Sequence, residues 1–163
     1  MPAVNTQNPV LLIGSNGQVG KALLSLLDDS AVIDLNRNQL DLSLFESNPE
    51  LALEKLGQVC SQKKPSIVIN AAAYTQVDLA EKEIEAAYTI NEKAPMHLAK
   101  WCKEKNIPLV HYSTDYVFNG EGHLPYKEND PTGPLNVYGK SKLAGEQKVI
   151  ESGCNHLIFR TSW

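Results

Sequence analysis

"VLLIGSNGQVGKALLSLL", residues 10 to 27, decides how the rest of this sequence is read. Val10 to Ile13 are apolar without interruption and stop at a glycine, which predicts a strand buried on both faces. Gly14, Gly17 and Gly20 follow at a spacing of three, and Val19, Leu23, Leu26 and Leu27 then recur at helical period. The glycines therefore occupy a turn that runs from a strand into a helix. Backbone N–H groups are unpaired at a helix start, and glycine lets the chain turn tightly and approach a pyrophosphate. Such glycines are also found in plain turns, so the context matters. Asp34 ends the next apolar stretch, "AVID", 20 residues after Gly14. A carboxylate there accepts hydrogen bonds from an adenosine ribose, and otherwise it is a strand-end turn residue. Arg37 lies just beyond, where a guanidinium meets a 2′-phosphate. Asp34 favours NADH and Arg37 favours NADPH, so both cofactors stay open.

The alternation continues outward from this stretch. "NPELALEKLGQVCSQKK" carries Leu51, Leu53, Leu56 and Val59 on one broad helical face, with Pro49 near its start. "SIVIN" (66–70) reads as a third strand, a helical pattern runs from about Leu79 to Lys105 with Pro95 in a first turn or at a kink, and "PLVHYS" (108–113) is a fourth strand. A glycine- and proline-rich loop covers 115–135, "NVYGKSKLAGEQKVIES" is a helix, and "HLIFRTS" is a fifth strand. Strands alternating with helices predict parallel strands joined by helical crossovers, a doubly wound α/β sheet of the Rossmann type. Only six residues separate Asp34 from Asp41, so no covering helix fits there. The expected organisation is a flexible N-terminus over 1–9 and one nucleotide-binding domain over 10–163.

Composition narrows the function. The 163 residues are 42% hydrophobic and 21% charged, typical of a soluble globular domain. A net charge of −4 argues against a general nucleic-acid binder. No apolar run approaches the roughly 20 residues of a membrane span, and the start lacks the features of a signal peptide. Cys60, Cys102 and Cys154 are odd in number and far apart, which predicts reduced thiols in a cytoplasm. His97, His111, His123 and His156 are scattered and read as core or surface filler, with no metal site.

In such a sheet, ligands sit beyond the carboxyl ends of the strands. The third strand ends in small residues, Ala71 to Ala73, which let a cofactor lie against the backbone or else serve tight helix–sheet packing. The fourth places Ser113, Thr114 and Asp115 at the cleft. A hydroxyl there bonds a substrate carbonyl oxygen, or else forms a Ser/Thr turn. Tyr138 and Lys142 then stand one turn apart on one helix face. A free phenol is protonated at neutral pH. An ammonium about 4 Å away, at an effective dielectric of ~20, favours its phenolate by ~4 kcal/mol, or up to roughly three pKa units. That makes Tyr138 a candidate general acid or base, with Lys142 also able to bond a nicotinamide ribose. The other reading of the pair is an ordinary exposed helix face.

"GSNGQVG", "NAAAYTQVDLAE", "STDYVFNG", "PLNVYGKSKLAGE" and "FRTSW", in this order and spacing, resemble the dTDP-4-dehydrorhamnose reductases, members of the extended short-chain dehydrogenase/reductases. The resemblance covers nearly the whole chain from Val10. It implies reduction of the C4 ketone of dTDP-4-dehydro-L-rhamnose to dTDP-L-rhamnose by NADPH or NADH, a step in making sugar for surface polysaccharide. On that resemblance, Tyr138 protonates the oxygen, Lys142 holds the ribose and lowers the phenol's pKa, and Thr114 bonds the reacting oxygen with Asp115 nearby. Gly17, Gln18 and Val19 line the pyrophosphate. Asp34, Asp41, Leu42, Ala73, Tyr74 and Thr75 surround the rest of the cofactor, and Trp163 contacts the sugar or else caps the core. Family members run to roughly 300 residues, so the substrate domain is expected to be largely absent here. The resemblance locates in that domain most of the dTDP pocket and, in some members, a magnesium-bridged dimer contact. A dTDP-sugar, a dinucleotide and a second copy of the chain are the expected partners. Two other readings share parts of the pattern: a sugar-nucleotide epimerase or dehydratase, and a non-catalytic NADP-binding regulatory subunit.

Overall fold

A computed structural model describes residues 8–28, 31–122 and 124–162, apart from the side chain of Gln62. Trp163, His123 and the first seven residues of the expected flexible N-terminus lie outside the described residues. Five parallel strands form one sheet: β1 (Val10–Ile13), β2 (Val32–Leu35), β3 (Ile67–Asn70), β4 (Leu109–Thr114) and β5 (His156–Thr161). Their order is β2-β1-β3-β4-β5. The chain turns one way from β1 to β2 and the other way from β3 onward, so the switch lies between β1 and β3, where a crevice opens at the carboxyl ends. Register brings Ile13 beside Asn70 and Asn70 beside His111, which aligns these ends on one edge.

The helices are α1 (Gln18–Leu24), α2 (Leu44–Ser47), α3 (Pro49–Gln62), α4 (Val77–Ala80), α5 (Ile84–Tyr88), α6 (Ala94–Lys105) and α7 (Val137–Ser152). α3 starts where its sequence says it should: Asn48 accepts the Leu51 N–H with its side chain and Pro49 opens the first turn. α7 is capped by the Asn136 side chain on the Gly139 N–H and stops at Gly153, which has φ +69°. α1 ends three residues before the apolar periodicity does, with a turn at Ser25 and Leu26. β2 starts and ends one residue later than expected.

The largest departure is the expected single helix from Leu79 to Lys105. It is broken at 81–83, and a π-turn, Thr89–Lys93, joins α5 to α6. Pro95 explains the π-turn. It has no N–H for the Asn91 carbonyl, and its ring crowds that carbonyl. The displaced carbonyl faces α7, where a Cβ on Gly145 would stand 2.0 Å from the Asn91 oxygen. Glycine at 145 is what lets α7 seat against the π-turn. The main core joins Leu11, Ile13, Phe45, Leu56, Val68, Leu98 and Leu109, and a smaller cluster gathers Ala80, Ala87 and Tyr138.

Candidate active site

The crevice at the switch point is a cleft of about 1180 Å³. Its floor is backbone. Gly14 has φ +87°, and a Cβ there would lie 2.6 Å from the Ala72 nitrogen, so β1 and the segment after β3 touch main chain to main chain. Gly17 begins α1 without a side-chain cap. Gly14, Gly17, Gln18 and Val19 all line the cleft, as do Asp41, Leu42 and Ala73 to Thr75. The wall beside β2 holds Arg37 and Asp41, paired at 3.4 Å. Burial raises the Asp41 pKa, but the Ser43 backbone N–H at 2.9 Å, the Ser43 hydroxyl and the Arg37 guanidinium together bring it below its usual value. Asp34 is exposed at the end of β2, accepts a 3.5 Å bond from the Ser15 hydroxyl and stands outside the cleft wall.

The opposite end is built from α7. Tyr138 and Lys142 both line the cleft and are only 3% and 2% exposed, so the reading of an exposed surface pair is excluded. The Lys142 ammonium donates to the Tyr112 carbonyl at 2.6 Å. Burial pushes its pKa down to about 8, and Glu146 one turn along opposes that fall. Lys142 is therefore a cation at neutral pH, but only by about one unit. Tyr116 meets the Tyr138 ring edge to face, with centroids 5.6 Å apart.

At the end of β4 the two hydroxyls divide their roles. Ser113 lines the cleft, is 3% exposed, and its Oγ has no hydrogen-bond partner. Thr114 is fully buried; its Oγ1 accepts the Tyr116 N–H at 3.2 Å and donates to Asp115 at 3.3 Å. Thr114 thus forms the Ser/Thr turn that was the alternative reading, and neither it nor Asp115 is in the cleft wall.

Several positions at or behind the cleft carry no motif in the sequence. Asn91 accepts the Tyr74 N–H at 2.9 Å, donates to the Tyr74 carbonyl at 3.0 Å and donates to Ser141 at 3.0 Å. It fastens the Ala73–Thr75 segment to α7. Its signal was its place four residues before Pro95. Lys93, paired with Glu46, and the Tyr112 ring complete the walls; neither has a sequence signal of its own. Beneath the cleft, Asn70 is oriented by the Ala72 N–H on its Oδ1, at 3.2 Å, so its Nδ2 donates to His111 Nδ1 at 3.1 Å. Burial, and then Lys142, push the His111 pKa well below the usual value, which leaves the ring neutral.

The arrangement offers a helix start without a side-chain cap at one end and, at the other, a phenol and a buried ammonium one turn apart on α7. The family model described as the RmlD substrate binding domain matches residues 8–163. A dTDP-4-dehydrorhamnose reductase of Burkholderia thailandensis is 46% identical over 155 residues, which are 94% of this chain and 49% of that protein. The Salmonella typhimurium protein of the same name is 44% identical over the same length, covering 94% and 50%. A crystal structure of the Bacillus anthracis dTDP-4-dehydrorhamnose reductase with NADP superposes with a TM-score of 0.85 at 37% identity, covering 96% of this chain and 53% of that one. The chain spans about half the length of the curated relatives it matches.

Proposed function

The chain belongs to the RmlD substrate binding domain family, and from that premise we propose that residues 10–163 form the nicotinamide-dinucleotide half of a reductase acting on the C4 ketone of dTDP-4-dehydro-L-rhamnose. The observation that carries the proposal is that Tyr138 and the buried Lys142, one turn apart on α7, both line the far end of a glycine-floored crevice.

The residues fit a dinucleotide. Gly14, which leaves no room for a Cβ, and the uncapped start of α1 suit the pyrophosphate at Gly17 to Val19. Arg37, in the cleft wall, would meet a 2′-phosphate, and Asp34, outside that wall, meets the adenosine ribose by resemblance alone, which leaves both NADH and NADPH as cofactors. When bound, the dinucleotide supplies the hydride. Lys142 holds the nicotinamide ribose through the ammonium already anchored on the Tyr112 carbonyl. Its positive charge favours the phenolate, so Tyr138 gives its proton to the substrate oxygen more readily. The candidates for the hydroxyl that steadies that oxygen are Thr114, by resemblance, and Ser113, a cleft-lining residue whose buried Oγ has no hydrogen-bond partner among the described residues. The free thiols of Cys60, Cys102 and Cys154 support action in the cytoplasm, and among the described residues no helix is long and apolar enough to cross a membrane.

The test is NADPH oxidation dependent on the sugar nucleotide, in the chain alone and joined to the C-terminal half of the Burkholderia relative. Tyr138→Phe lowers the joined protein's rate by about 10²–10⁴-fold, with NADPH affinity retained. An unchanged rate removes the acid. Ser113→Ala and Thr114→Val, compared side by side, identify which hydroxyl serves the substrate.

A further inference from the structure

α7 turns a third group into the same buried stripe. Tyr138, Lys142 and Glu146 recur at intervals of four residues, and Glu146 is 2% exposed. A carboxylate is not kept ionised at that depth without a partner. Arg160 of β5 supplies one as a fork. Its Nε donates to Glu146 Oε1 at 3.0 Å and Oε2 at 3.2 Å, and its Nη2 donates to Oε2 at 2.6 Å. The same guanidinium bonds the Glu128 carbonyl at 3.2 Å through Nη1 and lies 5.0 Å over the Phe118 ring. Phe118 stacks on Tyr126 at 4.2 Å, and the Tyr126 hydroxyl donates to Asn119 and accepts the Gly122 N–H. One arginine therefore touches both the helix that carries Tyr138 and the segment that leaves the cleft after β4.

We infer that Glu146 and Arg160 are positioning residues of the reductase site: their ion pair holds the Lys142 ammonium charged beneath the nicotinamide ribose, and Arg160 fastens Phe118 and Glu128 to the same helix. The inference rests on the proposed function for its ribose and on the ion pair alone for the charge of Lys142. The logic is an alternating line, cation, anion, cation. Arg160 pairs with the Glu146 carboxylate through the fork. Ionised Glu146 offsets the burial that pushes Lys142 toward its neutral form. Other titratable groups around α7 do not substitute for it. β4 turns the neutral His111 toward Lys142, and the Glu81 carboxylate bonds the Val137 N–H at the helix start. Glu92 of the π-turn faces Lys148, Lys103 of α6 bonds the Ser152 carbonyl at the helix end, and Asp115 bonds Thr114.

The test follows Lys142 by the ¹³Cε shift of lysine-labelled protein, without cofactor, across pH, and in parallel the NADPH dissociation constant by nicotinamide fluorescence. Glu146→Gln lowers the Lys142 midpoint by about one unit, roughly tenfold in its ionisation constant. NADPH binding then weakens at a correspondingly lower pH while staying near wild type in acid. Arg160→Lys keeps the charge without the fork and returns the midpoint to within about half a unit. Glu151→Gln, exposed on the same helix, leaves both curves in place. Thermal melts establish that each variant is folded, and Arg160→Lys carries the test if Glu146→Gln is not. A Lys142 midpoint that ignores Glu146→Gln, or that moves as far in Arg160→Lys as in Glu146→Gln, overturns the inference. A midpoint that moves while wild-type chain binds no NADPH at any pH overturns the cofactor reading and the ribose-positioning role, and upholds the electrostatic line.

Discussion

The two ends of the cleft are made in opposite ways. At the glycine-loop end the decisive feature is a side chain that is not there: Gly14 leaves main chain against main chain, and among the described residues of that loop no charged side chain is buried. At the α7 end the decisive features are large polar side chains that are buried. Lys142 and Glu146 are each 2% exposed, and Tyr138 is 3% exposed. The first end offers shape and fixed N–H groups, whose properties do not change with pH. The second works through charges held away from water, whose strength depends on each partner and on pH. A phosphate needs only the first, and proton transfer needs the second.

Gly14→Ala attacks the first end and has the largest expected effect there. The added Cβ meets the Ala72 nitrogen at 2.6 Å in a left-handed backbone conformation. Strain and overpacking together cost roughly 3 kcal/mol or more. The melting temperature falls and NADPH binding is lost at every pH.

Lys142→Met attacks the second end, and stability and function separate. A lysine whose pKa falls from 10.5 to about 8 on folding is a group the unfolded chain protonates more tightly. Its penalty is full below pH about 8 and is relieved as pH rises toward 10.5. Removing the amine stabilises the neutral-pH fold by on the order of 2–3 kcal/mol, and that gain shrinks across the alkaline window. Denaturant melts at neutral and alkaline pH measure it, while NADPH affinity drops at least tenfold. A variant that is less stable at neutral pH and binds NADPH normally breaks the contrast between the two ends.

Asn91→Ala probes the joint between the ends. It removes three bonds, two of them to Tyr74. About 1–3 kcal/mol is lost, mainly because Tyr74 main-chain groups lose their partner. Amide hydrogen exchange then rises at Ala73–Thr75 before it rises at the strands. The smallest effect is at Arg37, whose side chain is 82% exposed. Arg37→Ala weakens NADPH roughly threefold and leaves NADH unchanged, as expected of a solvated charge pair. Equal loss for both cofactors removes Arg37 from the 2′-phosphate.

The same contrast explains what the sequence made legible. Gly14, Gly17 and the apolar run before them state their purpose locally, because strand, turn and helix start all lie within about one dozen residues. The five parallel strands follow from the same local alternation. The Tyr138–Lys142 spacing was legible too, but its burial was not. Tyr138 packs with Ala80 and Ala87 and against the Tyr116 ring, and Lys142 is anchored on Tyr112 of β4, all distant in the chain. The π-turn itself had a signal, Pro95, but its packing depends on Gly145, about a third of the domain later. Thr114 and Ser113 are neighbours with the same chemistry, and only strand alternation and the Tyr116 turn tell them apart. A reading residue by residue finds chemical groups; which of them face the cleft is set by long-range packing.

A crystal structure of the chain with NADPH tests the central claim most directly. The expected result is the pyrophosphate over Gly14 to Val19, the nicotinamide ribose within hydrogen-bond reach of Lys142 Nζ, and the nicotinamide ring beside the Tyr138 hydroxyl. A dinucleotide lying with its nicotinamide away from α7, or with Lys142 turned from the ribose, contradicts it.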